Sequence, residues 1–289
     1  MNYRELSTGR DSPLAAAVLF LVHSNLVIST SAAGIAVATM VLVGLPIRPI
    51  PLFIVFAVTV FVYSFNRITD FAEDQQNVPD RAAFVSRYGK ALLAIGVLLY
   101  LAAGAFVAVQ DVPGAPALAL PLVIALLYSN LGLKRILLVK NLLVGIAWGL
   151  IPTGVGVYYG IFPDFEIVFF AGFTTAILTI AAVVFDIKDI EGDSAEGITT
   201  VPILVGPVWT RRLAAGAATL LGALVAVLVF AGVLATPYAV LVGYTAYVAG
   251  YSLVATRDKG PLFYGFVIDS EQTWLAIALL AYEFLLPVV

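Results

Sequence analysis

Four carboxylates fall within the eight residues DIKDIEGD, at Asp186, Asp189, Glu191 and Asp193, directly after the apolar run Ile167 to Phe185. Residues three and four apart share a helix face, so on a helix Asp186, Asp189 and Asp193 point one way and Glu191 another. Like charges on one face repel. A cation between them relieves the repulsion, and oxygen donors alone suit a hard ion such as Mg2+. NRITDFAED repeats the design at the end of an earlier apolar run, with Asn66, Asp70 and Asp74 spaced by four and four. A carboxylate in a bilayer costs about 2.5–3.5 kcal/mol at a helix centre and is functional by default. Paired acidic helix ends can hold Mg2+ ions between them, and such ions grip a polyanion. Among apolar walls the natural polyanion is a diphosphate on a hydrocarbon tail.

The remaining polar residues suit that ligand. Lys134, Arg135 and Lys140 follow an apolar run in YSNLGLKRILLVKN, Arg67 sits inside the first cluster and Lys188 inside the second. Each can bond a phosphate, or pair with a neighbouring carboxylate. Asn25, at the start of the first apolar run, can meet the headgroup of a ligand. His23, the one histidine, reads as an interfacial residue rather than a base, and Trp148, Trp209 and Trp274 read first as interfacial or packing aromatics, with the lining of a lipophilic cavity as the second reading of Trp148. There is no cysteine, which excludes thiolate metal sites and thiol nucleophiles.

The elements that position these residues are membrane helices. The chain of 289 residues is 62% hydrophobic and 11% charged, with a mean hydropathy of +1.04; soluble domains average about 45–50% apolar and about 25% charged. A span needs about 20 mostly apolar residues. Nine segments qualify, at about 23–45, 49–66, 91–109, 115–131, 139–160, 166–186, 212–234, 237–255 and 271–288. Leu14 to Phe20 reads as an interfacial start or the first turns of a tilted opening helix. The expected fold is therefore all-α and polytopic, one membrane domain over 1–289, with no removable signal peptide in the polar first thirteen residues.

Nine spans put 14 of the 15 Lys and Arg residues on one face, with Arg48 alone opposite. The positive-inside rule makes that face cytoplasmic, in the cell membrane, and both acidic clusters lie on it. They can face each other. The net charge of -3 is too small and too localised to suggest a nucleic-acid partner.

With these residues in view, the chain resembles the UbiA superfamily of intramembrane prenyltransferases. That family is similar in topology, a nine-helix bundle, and in two aspartate-rich motifs, after its second and sixth helices. The likeness is strongest over DIKDIEGDSAEGITTVPILVG, Asp186 to Gly206, which looks like the archaeal branch that prenylates glycerol-phosphate lipids. The resemblance implies metal ligands at Asn66, Asp70 and Asp74 and at Asp186, Asp189 and Asp193. It matches the family's Tyr-Ser pair and following Lys to Tyr128, Ser129 and Lys134, with Lys140 and Asn141 at the next helix. It departs from the pattern at Arg67, where the family has Asp, and in NVPDRAAFVSRYGK, where only Asn77, Pro79 and Arg81 are recognisable.

The activity implied is Mg2+-dependent transfer of a prenyl group from an isoprenyl diphosphate to a lipophilic acceptor: a glycerol-phosphate lipid, an aromatic ring or an isoprenoid. Arg67, Lys134, Lys140 and Lys188 would bind the diphosphate, and Asn25, Tyr128, Ser129 and Asn141 the substrates. Asp74 or a second-motif carboxylate such as Asp193 would take the proton from an acceptor that must lose one. Two other readings use the same residues. A membrane terpene cyclase or carotenoid elongase would share the ionisation, and a cation transporter would need charges near mid-span, whereas these gather at one face.

Overall fold

The computed structural model describes residues 12–114, 120, 123, 136–195 and 197–285, and these form helices and turns without a strand. Tyr128, Ser129, Lys134 and Arg135, with most of the fourth expected span, lie outside the described residues. In chain order the helices are α1 (Pro13–His23), α2 (Leu26–Leu42), α3 (Pro49–Thr69), α4 (Phe71–Asn77) and α5 (Pro79–Val109). After them come α6 (Val139–Tyr159), α7 (Phe165–Ala195), α8 (Val201–Phe230), α9 (Val240–Val254) and α10 (Glu271–Leu285). A π-helical turn, Phe263–Ile268, precedes the last.

Proline sets several starts. It occupies the first turn of α1, α3, α5 and α8, where its fixed φ suits the helix and its missing N–H costs no bond. The first apolar run does not make one straight span. Asn25 adopts a left-handed φ of 63°, and α1 meets α2 at a 67° bend. This places His23 and Asn25 at an elbow rather than on a helix face.

Among the described residues five helices, α3, α5, α6, α7 and α8, are long and apolar enough to cross a bilayer, and α1 with α2 gives a sixth if the bent pair is one span. The chain is thus a multi-pass membrane protein, though α9 and α10 have 15 residues each. Such a helix reaches about 22 Å against a hydrocarbon core of about 30 Å. The expected span boundaries hold at α3 and α6. They fall short at α5, which begins twelve residues before the apolar run, and at α7, which continues through the second acidic motif. The seventh span, expected from 212, lies within α8, which starts at Val201 and breaks at Gly206 (φ 81°).

Two close approaches fix the bundle. A methyl group on Gly145 or Gly149 of α6 would lie 2.2 or 2.1 Å from the hydroxyl oxygen of Thr179 or Thr175 on α7, so these helices meet nearly backbone to backbone. On the other side, a Cβ on Gly34 of α2 would lie 2.7 Å from the Gln272 carbonyl oxygen. Glycine there seats the first turn of α10 against α2. The shared core lies between, with Phe170, Phe173 and Ile177 of α7 packed among Tyr244 and Val248 of α9 and Leu275 and Leu279 of α10.

Candidate active site

The first acidic stretch is nearly one continuous helix. The Asp70 N–H bonds the Asn66 carbonyl at 2.8 Å, and the Asp74 N–H bonds the Asp70 carbonyl at 2.9 Å, joining α3 to α4. The face turned to the protein's main polar cavity reads Tyr63, Arg67, Asp70 and Asp74, a spacing of four, three and four that keeps all four on one side. Asn66 is not among the lining residues, because one residue of helical rotation hands its place to Arg67. Asp74, 4% exposed, is clamped at both carboxylate oxygens by Arg81 at the start of α5, with Nε to Oδ2 at 2.8 Å. The Nε of Arg67 is buried with no hydrogen-bond acceptor.

The second acidic stretch stays helical to Ala195, so Asp186, Asp189 and Asp193 share the cavity face as the spacing requires. Glu191 points away: its side chain is 85% exposed, and it pairs with Arg257. A cation does sit among the like charges, and it is an ammonium. Lys140 Nζ of α6 lies 2.9 Å from Asp186 Oδ1 and 3.0 Å from Asp193 Oδ2. Asn141 Nδ2 donates to Asp186 Oδ2 at 2.9 Å, and Lys188 pairs with its neighbour Asp189. At the elbow, Asn25 Nδ2 donates to Ser64 Oγ at 3.4 Å and also lines the cavity.

This polar cavity has a volume of about 680 Å3 and brings both acidic motifs, Arg67, Lys140, Lys188, Asn25 and Asn141 together. Tyr63 and Trp148 line it and also line a second cavity of about 260 Å3. The second is apolar, walled by α3 and α6 residues such as Ile54, Val58, Val62, Ile151 and Val155. Trp148 is both the packing aromatic and the cavity-lining residue that the sequence allowed: it is buried in the core and forms part of the seam between the two.

The cavity has a third wall, which the two acidic motifs do not point to. The end of the segment between α9 and α10 brings Asp269, and the first turn of α10 brings Glu271 and Gln272, to the polar cavity. Burial pushes Asp269 up to about 6, an effect that Arg67, Arg81 and Lys188 oppose by favouring its charge. Glu271 is 1% exposed and accepts from Tyr251 at 2.7 Å and from Gln272 Nε2 at 2.6 Å. The signal was present, since IDSEQTW puts two acids just ahead of an apolar run. Acids at a helix start are common for reasons of the helix dipole alone, which makes them easy to pass over.

Among the described residues no three His, Cys, Asp or Glu side chains already converge as a metal cluster. The donor set nonetheless suits Mg2+. That ion keeps its waters and binds through one or two carboxylates plus phosphate oxygens rather than in an all-protein cage.

A helical membrane protein with an acidic and basic cavity at one end, opening onto an apolar one, is built to handle an amphiphile with a charged head. The profile of the UbiA prenyltransferase family matches residues 26–262, and the chain belongs to that family. It is an intramembrane prenyltransferase. Its fold is similar to that of a UbiA homologue from Aeropyrum pernix K1 in apo form, at 20% identity and a TM-score of 0.63, covering 91% of this chain and 98% of that one. It is also similar to a structure described as digeranylgeranylglyceryl phosphate synthase in membranes, at 19% identity and a TM-score of 0.51, covering 92% and 95%. No curated protein matches the sequence.

Proposed function

We propose that the protein binds an isoprenyl diphosphate with its headgroup in the polar cavity and its tail in the apolar one, and transfers the prenyl group to a lipophilic acceptor. The observation that carries this is the meeting of the two cavities at Tyr63 and Trp148. A diphosphate entering between the acidic motifs faces Asp70 and Asp74 on one side and Asp186, Asp189 and Asp193 on the other. These carboxylates would hold Mg2+, which neutralises the diphosphate and favours its departure as a leaving group.

The chain's own cations act on the same anion. Lys140 and Lys188 are held by carboxylates at the cavity wall, so each can turn to a phosphate oxygen while its partner aspartate is taken up elsewhere. The Arg67 Nε–H has no acceptor among the described residues, and a phosphate oxygen supplies one. Asn141 fixes the Asp186 carboxylate through its amide. The apolar walls exclude water from the allylic carbon, which limits capture by hydrolysis. The excess of Lys and Arg in the connections at that end supports a headgroup cavity on the cytoplasmic side of the cell membrane.

The test is diphosphate release from geranylgeranyl diphosphate by the protein in liposomes. Release that needs Mg2+, stops with EDTA and falls at least about 100-fold in both Asp70→Ala and Asp189→Ala supports the reading. Folded protein that releases none from any donor length refutes it.

A further inference from the structure

Prenylation of a hydroxyl requires that its proton go somewhere. Four carboxylates of the two acidic motifs are poor candidates, because they are already committed to cations. Both oxygens of Asp74 are held by Arg81. Asp186 and Asp193 share the Lys140 ammonium, and Asp189 pairs with Lys188. A carboxylate bound to a cation is a weakened base, and these lie on the side that meets the diphosphate.

Glu271 differs on each count. It lines the same cavity from the start of α10, and its hydrogen-bond partners among the described residues, Tyr251, Gln272 and Tyr244, are neutral. The pair is rigidly placed. Gln272 Nε2 also reaches the Tyr244 hydroxyl at 3.2 Å, and its Oε1 accepts from Ser31 at 2.8 Å. The close contact of Gly34 with the Gln272 backbone locks the turn that carries both residues. A carboxylate has about four acceptor positions; Tyr251, Gln272 and Tyr244 take three, so one further donor can be received. Beyond tying Tyr251 of α9 to the start of α10, Glu271 is a buried acid with no cation paired to it among the described residues, and such a group is functional by default.

Resting on the prenyl-transfer reading above, we infer that Glu271 is the base that receives the proton of the acceptor, and that the acceptor presents a hydroxyl. Before reaction the acceptor O–H donates to a Glu271 oxygen, something an alkene or ring C–H cannot do comparably. The allylic C–O bond then breaks, its electron pair leaving on the diphosphate. A lone pair of the acceptor oxygen forms the new bond to the allylic carbon, and the acceptor proton passes to Glu271, which returns it to water as product leaves. Wall chemistry thus divides the cavity: cations and aspartates for the donor's head, Glu271 and Gln272 for the acceptor's hydroxyl.

The experiment separates ionisation from transfer. Wild type, Glu271→Gln and Glu271→Asp are placed in liposomes containing a glycerol monoalkyl ether as hydroxyl probe, with labelled geranylgeranyl diphosphate and Mg2+. Diphosphate release, prenyl ether and prenyl alcohol are counted separately. In Glu271→Gln, release stays within about threefold, ether falls at least about 100-fold and prenyl alcohol rises as water captures the tail. Glu271→Asp recovers at least about a tenth of the ether. Equal loss of release and ether in Glu271→Gln, or ether unchanged, overturns the base assignment. Should that variant not fold, Glu271→Asp decides alone: an ether-to-alcohol ratio equal to wild type overturns it. Wild-type release without ether, or with transfer only to a carotenoid, overturns the hydroxyl acceptor. Absence of wild-type release with any donor refutes prenyl transfer itself, and this inference with it.

Discussion

Tyr63 and Trp148 meet edge to face, with ring centroids 6.5 Å apart and planes at 74°, where the charged cavity gives way to the apolar one. The pair joins α3 to α6 at the depth where a diphosphate would end and a hydrocarbon tail begin. Aromatic pairs of this geometry add about 0.5–1.5 kcal/mol beyond area burial, enough to hold a boundary in place.

The apolar cavity should limit tail length, and Gly154 offers a clean way to show it. It lines that cavity, and a Cβ added there meets nothing within 4 Å. Gly154→Phe therefore starts from an unobstructed Cβ and puts a ring into that space. The expected outcome is a fall of about tenfold or more in kcat/KM for geranylgeranyl relative to geranyl diphosphate, which is about 1.4 kcal/mol of discrimination, measured by competing the two donors.

Lys140 neutralises two carboxylates that are only 4% and 3% exposed. Removing one partner of a buried pair costs on the order of 3–5 kcal/mol. Lys140→Met should therefore lower the metal-free melting temperature, and Mg2+ should restore more of it than it adds to wild type, because the ion substitutes for the lost ammonium. Melting curves in detergent with EDTA and with Mg2+ give the comparison.

Arg67 and Asp70 are adjacent on one helix face yet should act on different quantities. Arg67→Ala removes a donor to phosphate and is expected to raise the KM for prenyl diphosphate about tenfold, leaving the Mg2+ concentration for half-maximal rate unchanged. Asp70→Ala should shift that Mg2+ concentration upward. Initial rates over a grid of donor and Mg2+ concentrations distinguish them.

Asp269 carries a pH signature. Its folded-state value is raised to about 6 from an ordinary value of 3.8, with burial the largest cause. In that interval the folded protein binds more protons than the unfolded chain, so this group's contribution to stability is present below about pH 4 and is lost as pH rises through about 6. Asp269→Asn should be more stable than wild type above about pH 6 and no more stable below about pH 4, as read from melting temperatures across pH 4 to 8.

Much of this was legible in the sequence, for physical reasons that can be named. Apolar runs bounded by charge located α3, α6 and α7, and the three-and-four spacing of Asp186, Asp189 and Asp193 gave the correct face because α7 remains helical through the motif. The same rule misplaced Asn66. Its spacing of four and four drifts around a helix with 3.6 residues per turn, whereas Tyr63, Arg67, Asp70 and Asp74 follow the turn. The elbow at Asn25 was hidden within an apolar run, since a left-handed residue leaves no hydrophobic trace. Tertiary contact alone discloses the Glu271 network, whose partners Ser31 and Tyr251 lie far away in sequence.

The most direct test of the central claim, that both acidic motifs act on one diphosphate, is binding without turnover. Geranylgeranyl thiolodiphosphate, a slowly ionising donor, is titrated calorimetrically into wild type, Asp70→Ala and Asp189→Ala, with Mg2+ and with EDTA. The account predicts tight binding only in wild type with Mg2+, weakened at least about tenfold by either substitution. Binding that is indifferent to Mg2+, or that survives the loss of either aspartate, would contradict it.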